Sequence, residues 1–174
     1  MDNKGLLMIN TGNGKGKTTS ALGLALRSLG HQLPVCMIQF IKGSWDYGEL
    51  KSSERFKDIL DYFVVGHGFT WKTDNIEEDK KAARDGWELA KSVISEAKHH
   101  LIILDELTYA LNYGMIDITE AVFVFKHKPE DMHIMITGRN APSEIIEIAD
   151  LVTEMKEIRH PYKSGIEAQK GIEW

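Results

Sequence analysis

Residues 11–18 read Thr-Gly-Asn-Gly-Lys-Gly-Lys-Thr, between the apolar run Leu6-Leu7-Met8-Ile9 and a helix-forming stretch. Glycines at this density let successive backbone N–H groups turn inward onto phosphate oxygens, and the helix that follows adds its positive amino end. Lys17 is then placed to supply a mobile charge to the outer phosphates, and the Thr18 hydroxyl to meet Mg²⁺. The pattern G-x-x-x-x-G-K-[ST] is met everywhere but at its first position, where Thr11 replaces glycine; Gly12 and Gly14 are the candidates for the turn. The expected nucleotide-binding residues are Thr11, Gly12, Asn13, Gly14, Lys15, Gly16, Lys17, Thr18 and Thr19, with Lys15 adding to the local positive potential.

A second nucleotide signature is Ile102-Ile103-Leu104-Asp105-Glu106, an apolar strand ending in two carboxylates. An acid at such a tip reaches the Mg²⁺ of a bound triphosphate, directly or through its water shell. Asp105 is the expected metal partner. Glu106 stands where many ATPases carry the base that activates water. Arg139, in Thr137-Gly138-Arg139, and Lys42, after Gln39-Phe40-Ile41, follow two further apolar runs and are candidate phosphate ligands. Phe69 and Trp71 lie in a glycine-flanked loop and could form an apolar wall for a large flat ligand. The histidines show no metal-ligand spacing and Cys36 is the single cysteine, so no zinc or iron–sulfur site is expected. These features by themselves fit an ATP-hydrolysing or regulatory ATP-binding module, or a small nucleoside kinase.

The elements that must position these groups alternate in type. Strand-length apolar runs are Leu6–Asn10, Pro34–Phe40, Tyr62–Gly66, Leu101–Glu106, His133–Thr137 and Leu151–Ile158. Helical periodicity marks Lys17–Leu29, a long stretch capped at Asp74 or Asn75 and running to about Lys98, Ile118–Phe125, and Pro142–Ile148 with proline in its first turn. Residues 42–58 are ambiguous. Such alternation predicts an α/β fold, a mainly parallel sheet with helices on both faces. Ligands of these sheets sit outside the carboxyl ends of the strands, which gathers the loops after Asn10, Phe40, Gly66, Leu104 and Thr137 along one edge.

The chain has 174 residues and a formal charge of −5, which predicts one domain over 1–174 and gives no basic surplus for nucleic acid. No apolar stretch approaches membrane-span length and no signal peptide is recognisable, so a cytoplasmic protein is expected.

The sequence resembles the phosphate-loop type of ATP:corrinoid adenosyltransferases over almost its whole length. The resemblance rests on residues 11–19, Gln39-Phe40-Ile41-Lys42-Gly43, Gly68-Phe69-Thr70-Trp71, Leu104-Asp105-Glu106-Leu107-Thr108-Tyr109, Ile136-Thr137-Gly138-Arg139 and Gly171-Ile172-Glu173. That family also carries threonine at the position of Thr11. The resemblance implies a RecA-like domain and a homodimer. It implies a reaction in which a Co(I) corrinoid attacks C5′ of ATP and triphosphate leaves whole, with ATP bound in reversed orientation. It further implies Mg²⁺ (or Mn²⁺) held near Thr18, Asp105 and Glu106, a catalytic part for Lys17 and Glu106, and a flavin-type electron donor protein. Phe69 and Trp71 would displace the lower axial ligand of Co(II). Some members shield the site with an extra segment before the first strand. Here about five residues precede it, so another element or the partner subunit is expected to do so.

Overall fold

A computed structural model describes residues 4–41, 47–65 and 76–174. Six strands form one parallel sheet: β1 (Leu7–Thr11), β2 (Val35–Gln39), β3 (Leu60–Val64), β4 (Leu101–Asp105), β5 (His133–Thr137) and β6 (Leu151–Glu154), in the order β3-β2-β4-β5-β1-β6. The helices are α1 (Lys17–Gly30), α2 (Gly48–Ser53), α3 (Ile76–Glu96), α4 (Leu107–Asn112), α5 (Ile118–Lys126) and α6 (Ser143–Ile146).

Alternate residues of β1, β2, β4 and β5 feed two cores, because successive side chains leave opposite faces of a pleated strand. Ile9, Cys36, Ile38, Ile102, Leu104, Ile134 and Ile136 pack with Trp87 and Ala90 of α3, Leu107 and Leu111 of α4, and Phe125 of α5. Met8, Val35, Met37, Leu101, Ile103 and Met135 pack under Ala21, Ala25 and Leu29 of α1. Helices therefore cover both faces, as the alternation predicted. Burial pushes the Cys36 thiol up to about 12, so it serves as a small buried apolar group.

The differences from the sequence reading lie at element ends and in two short helices. Pro142–Ile148 shortens to α6, since the chain must turn into β6 and Ala149 N–H already donates to Ile146 O in a tight turn. Leu151–Ile158 shortens to β6, because its ladder partner β1 ends at Thr11. Helices α2 and α4 were not foreseen. The Asp74/Asn75 cap lies outside the described residues.

Candidate nucleotide site

β1 runs straight into the glycine-rich loop, and α1 begins at Lys17. Thr11 closes the strand in ordinary extended backbone, so no glycine is required there; Gly12 takes the positive φ, +93°, that the turn needs. The Thr11 hydroxyl has a separate use. It accepts a hydrogen bond from Ala141 N–H at 3.1 Å, tying the loop to the segment after β5. On the other side, Gly14 N–H donates to Met155 O at 2.6 Å.

Lys17 is 7% exposed and its Nζ donates to Gly12 O and Gly14 O, both at 2.8 Å. Burial holds its ammonium below the ordinary lysine value; Glu106 and Asp105 pull the other way and Arg139 adds to the lowering. The result is a desolvated cation at the amino end of a fourteen-residue helix, resting on carbonyls that a phosphate can replace.

Thr18 Oγ1 donates to Asp105 Oδ1 at 2.8 Å. The same Oδ1 accepts from Thr137 Oγ1 at 2.6 Å, and Oδ2 accepts from Gln39 Nε2 at 3.0 Å. Asp105 is fully buried, so β2, β4, β5 and the phosphate loop meet on one carboxylate. Its oxygens are engaged by neighbours, which makes it the group that orients Thr18. Glu106 lies just beyond, with a left-handed backbone (φ 59°, ψ 24°) rare for a non-glycine residue and costing on the order of 1 kcal/mol. That conformation turns the chain from β4 directly into α4 and leaves Glu106 lining the cavity over the loop. Opposite it, a side chain on Gly138 (φ +137°) would collide with the Thr108 hydroxyl, so β5 and α4 close together only over a glycine.

The cavity over the loop encloses about 420 Å³ between Lys15–Thr19, Leu22, Gly48, Glu49, Glu106 and the segment Gly171–Trp174. Lys15, Gly16, Lys17, Thr18, Thr19 and Glu106 are thus brought together. Asn13 and Arg139 instead line an adjoining polar cleft with Glu154, Lys156, Glu157 and Lys163. Arg139 is exposed, and its carbonyl accepts from the Thr108 hydroxyl at 2.7 Å. Lys15 is not a free cation, as its Nζ pairs with Glu173 Oε2 at 2.7 Å. Lys42, Phe69 and Trp71 lie outside the described residues. The sequence reading gave Gly171–Glu173 no place in the site. No local periodicity signals a contact between residues 158 positions apart.

Comparison with known proteins decides among the nucleotide-handling classes. A model of the ATP:corrinoid adenosyltransferase family BtuR/CobO/CobP matches residues 3–174. The chain belongs to this family. A corrinoid adenosyltransferase of a Sinorhizobium species is 44% identical over 175 residues, covering 99% of this chain and 82% of the relative. The corrinoid adenosyltransferase of Escherichia coli K12 is 39% identical, covering 99% and 87%. In Salmonella typhimurium LT2 the corrinoid adenosyltransferase CobA is 36% identical with the same coverage. Among solved structures, the flagellar accessory protein FlaH of Methanocaldococcus jannaschii superposes with a TM-score of 0.62 at 14% identity, covering 87% of this chain and 71% of that one, which shows a shared fold. This adenosyltransferase therefore carries out corrinoid adenosylation, a transferase reaction. Among its described residues no helix is long and apolar enough to cross a membrane.

Proposed function

We propose a division of labour for the adenosyl transfer from ATP to a corrinoid that family membership assigns to this chain. The loop N–H groups, the amino end of α1 and Lys17 hold the triphosphate, which departs intact as the adenosyl C5′ is taken. Cobalt of a Co(I) corrinoid, the second substrate, donates an electron pair to C5′. The cobalt–carbon bond forms as the C5′–O bond breaks, and that bond's electron pair leaves on the triphosphate oxygen. For C5′ to face cobalt, ATP lies reversed relative to hydrolytic phosphate-loop enzymes. Charge grows on the leaving group as the bond lengthens, so a fixed, desolvated cation at that place stabilises the transition state more than the ground state. The observation that carries this reading is Lys17, buried and resting on the Gly12 and Gly14 carbonyls.

Mg²⁺ fits the donor set. Among the described residues no three His, Cys, Asp or Glu side chains cluster to cage a metal, and Mg²⁺ on a nucleotide ordinarily needs only one or two protein oxygens beside the phosphates. Thr18 Oγ1 gives its proton to Asp105 and keeps lone pairs available. Thr18 would be the direct ligand, with Asp105 and Glu106 acting on its water shell. Bound there, the ion supplies further positive charge to the leaving group. Lys15, Thr11 and Gly12 shape the loop, while Asn13 and Arg139 flank it; Lys42 is carried over as a phosphate ligand. Phe69 and Trp71 are assigned the displacement of the lower axial ligand of Co(II), which eases reduction by a flavin-type donor protein. A cytoplasmic homodimer of single-domain chains completes the proposal.

The test is the phosphorus product. With ATP, Mg²⁺ and chemically reduced cobalamin, triphosphate and a cobalt–carbon bond should appear in equal amounts. Orthophosphate or ADP as main product, independent of corrinoid, overturns the reading.

A further inference from the structure

The lining of the cavity over the phosphate loop includes two chemically different sets of groups. One is the loop itself with Thr18 and Glu106. The other includes Leu22 of α1 and Ile172 and Trp174 of the closing segment, which are apolar. A triphosphate uses only the first. The closing segment reaches the cavity by a long exposed path from β6, and it ends in a compact turn: Ile172 and Glu173 N–H both donate to Gln169 O, and Gly171 N–H donates to Trp174 O at 2.7 Å. Its link to the loop is the Lys15–Glu173 ion pair, whose side chains are 38% and 26% exposed. A carboxylate this near a triphosphate site repels the ligand unless its charge is matched. Lys15 matches it.

We infer that Gly171–Trp174 is the nucleoside-facing wall of the ATP site, docked by the Lys15–Glu173 pair and presenting Ile172 and Trp174 to the base. The inference rests on the proposed ATP reading of this cavity and adds to it the residues that meet the non-phosphate half. Lys15 and Glu173 are positioning residues, because they act by holding the wall in place. Trp174 offers a flat face, which binds any base without reading its edges. This wall therefore supplies affinity for a nucleoside with little choice among bases.

The experiment compares two probes without corrinoid, ATP and inorganic triphosphate, which lacks the nucleoside. Trp174→Ala should weaken ATP roughly tenfold, the scale of one lost base–aromatic stack, and leave triphosphate binding unchanged. Trp174→Phe should keep most of the ATP affinity while losing the tryptophan quenching expected when ATP is added to the unsubstituted protein. Glu173→Gln should weaken ATP severalfold without weakening triphosphate. Equal loss for both probes in Trp174→Ala, or no loss for either, overturns the inference. The functional reading fails separately, through the wrong phosphorus product from the unsubstituted enzyme, which leaves this contrast between probes intact.

Discussion

Lys17 and Lys128 lie beyond opposite ends of the parallel strands, and each ammonium donates to two backbone carbonyls. Lys17 rests on Gly12 and Gly14 at 2.8 Å, and Lys128 on Gly5 at 2.8 Å and Pro129 at 3.3 Å. Burial lowers both below the ordinary lysine value. The surroundings differ. Both lysines line cavities, of about 420 and 450 Å³, but Lys17 opens α1 and faces Glu106 and Asp105. Lys128 lies in the short connection between α5 and β5, near Asp150 and Asp131, and clips the chain entering β1 to the chain entering β5. A lysine on carbonyls is therefore not by itself a sign of catalysis. In the proposed function the carbonyls at the carboxyl ends of the strands hold the charge until a phosphate takes it, whereas at the amino ends they are its permanent partners.

The sharpest way to break this comparison is to delete the charge on the side proposed to be catalytic. Lys17→Ala should lose on the order of 10²-fold or more in turnover, the scale of a removed preorganised charge partner. Triphosphate release and the cobalt–carbon absorption band report it. Near-normal turnover would put the two lysines in the same class. Asp105→Asn comes next. The amide presents N–H to at least one group that now donates, which costs about 1–3 kcal/mol in stability. Loss of the orienting carboxylate behind Thr18 should lower turnover roughly 10- to 100-fold. Turnover at normal levels in a variant that has lost stability would make Asp105 a structural residue only.

On the other side, Lys128→Met keeps the aliphatic stem and deletes the donor. Urea unfolding should show a loss of about 1 kcal/mol, the net value of a partly exposed charged hydrogen bond, while turnover is unchanged. A fall in turnover with stability intact would mean that the amino-end clip communicates with the site.

The phosphate-loop geometry on the Lys17 side was readable in the sequence because it is local: strand, glycine loop, lysine and helix follow within twelve residues, Leu7–Thr18. Asp105 was readable for a related reason, as the polar end of a fully apolar strand. Its role as the junction of Thr18, Thr137 and Gln39 was not, since those donors come from three other segments. Helix α4 escaped notice because Glu106 makes the left-handed turn that glycine would normally announce. Thr11 read as a flaw in the motif, yet the positive φ falls at Gly12 and the threonine hydroxyl is needed by Ala141. The closing segment was legible as family signature and not as a wall of the site, because an ion pair between Lys15 and Glu173 leaves no periodic trace.

The amino ends of the strands carry one more device, and it yields the smallest effect. His133 Nδ1 accepts a hydrogen bond from Leu6 N–H at 3.1 Å, so that nitrogen must be unprotonated, and the ring stands edge-on to His100 at 4.7 Å. Burial lowers its pKa from 6.5; His100 and Lys128 lower it further and Asp131 opposes them. The folded state therefore binds fewer protons than the unfolded chain wherever the two pKa values straddle the pH. This contribution is complete above about 6.5 and is lost as pH falls through that value toward the folded pKa. The loss stays well below the ceiling of about 1.4 kcal/mol per pH unit for one proton, because the ring is partly exposed. His133→Asn retains an acceptor for Leu6 N–H and cannot titrate. Its urea midpoint should fall less than that of the unsubstituted protein between about pH 7.5 and 5.5, where histidine titrates. Identical pH profiles would remove His133 from the clip and leave Lys128 to hold the amino ends together.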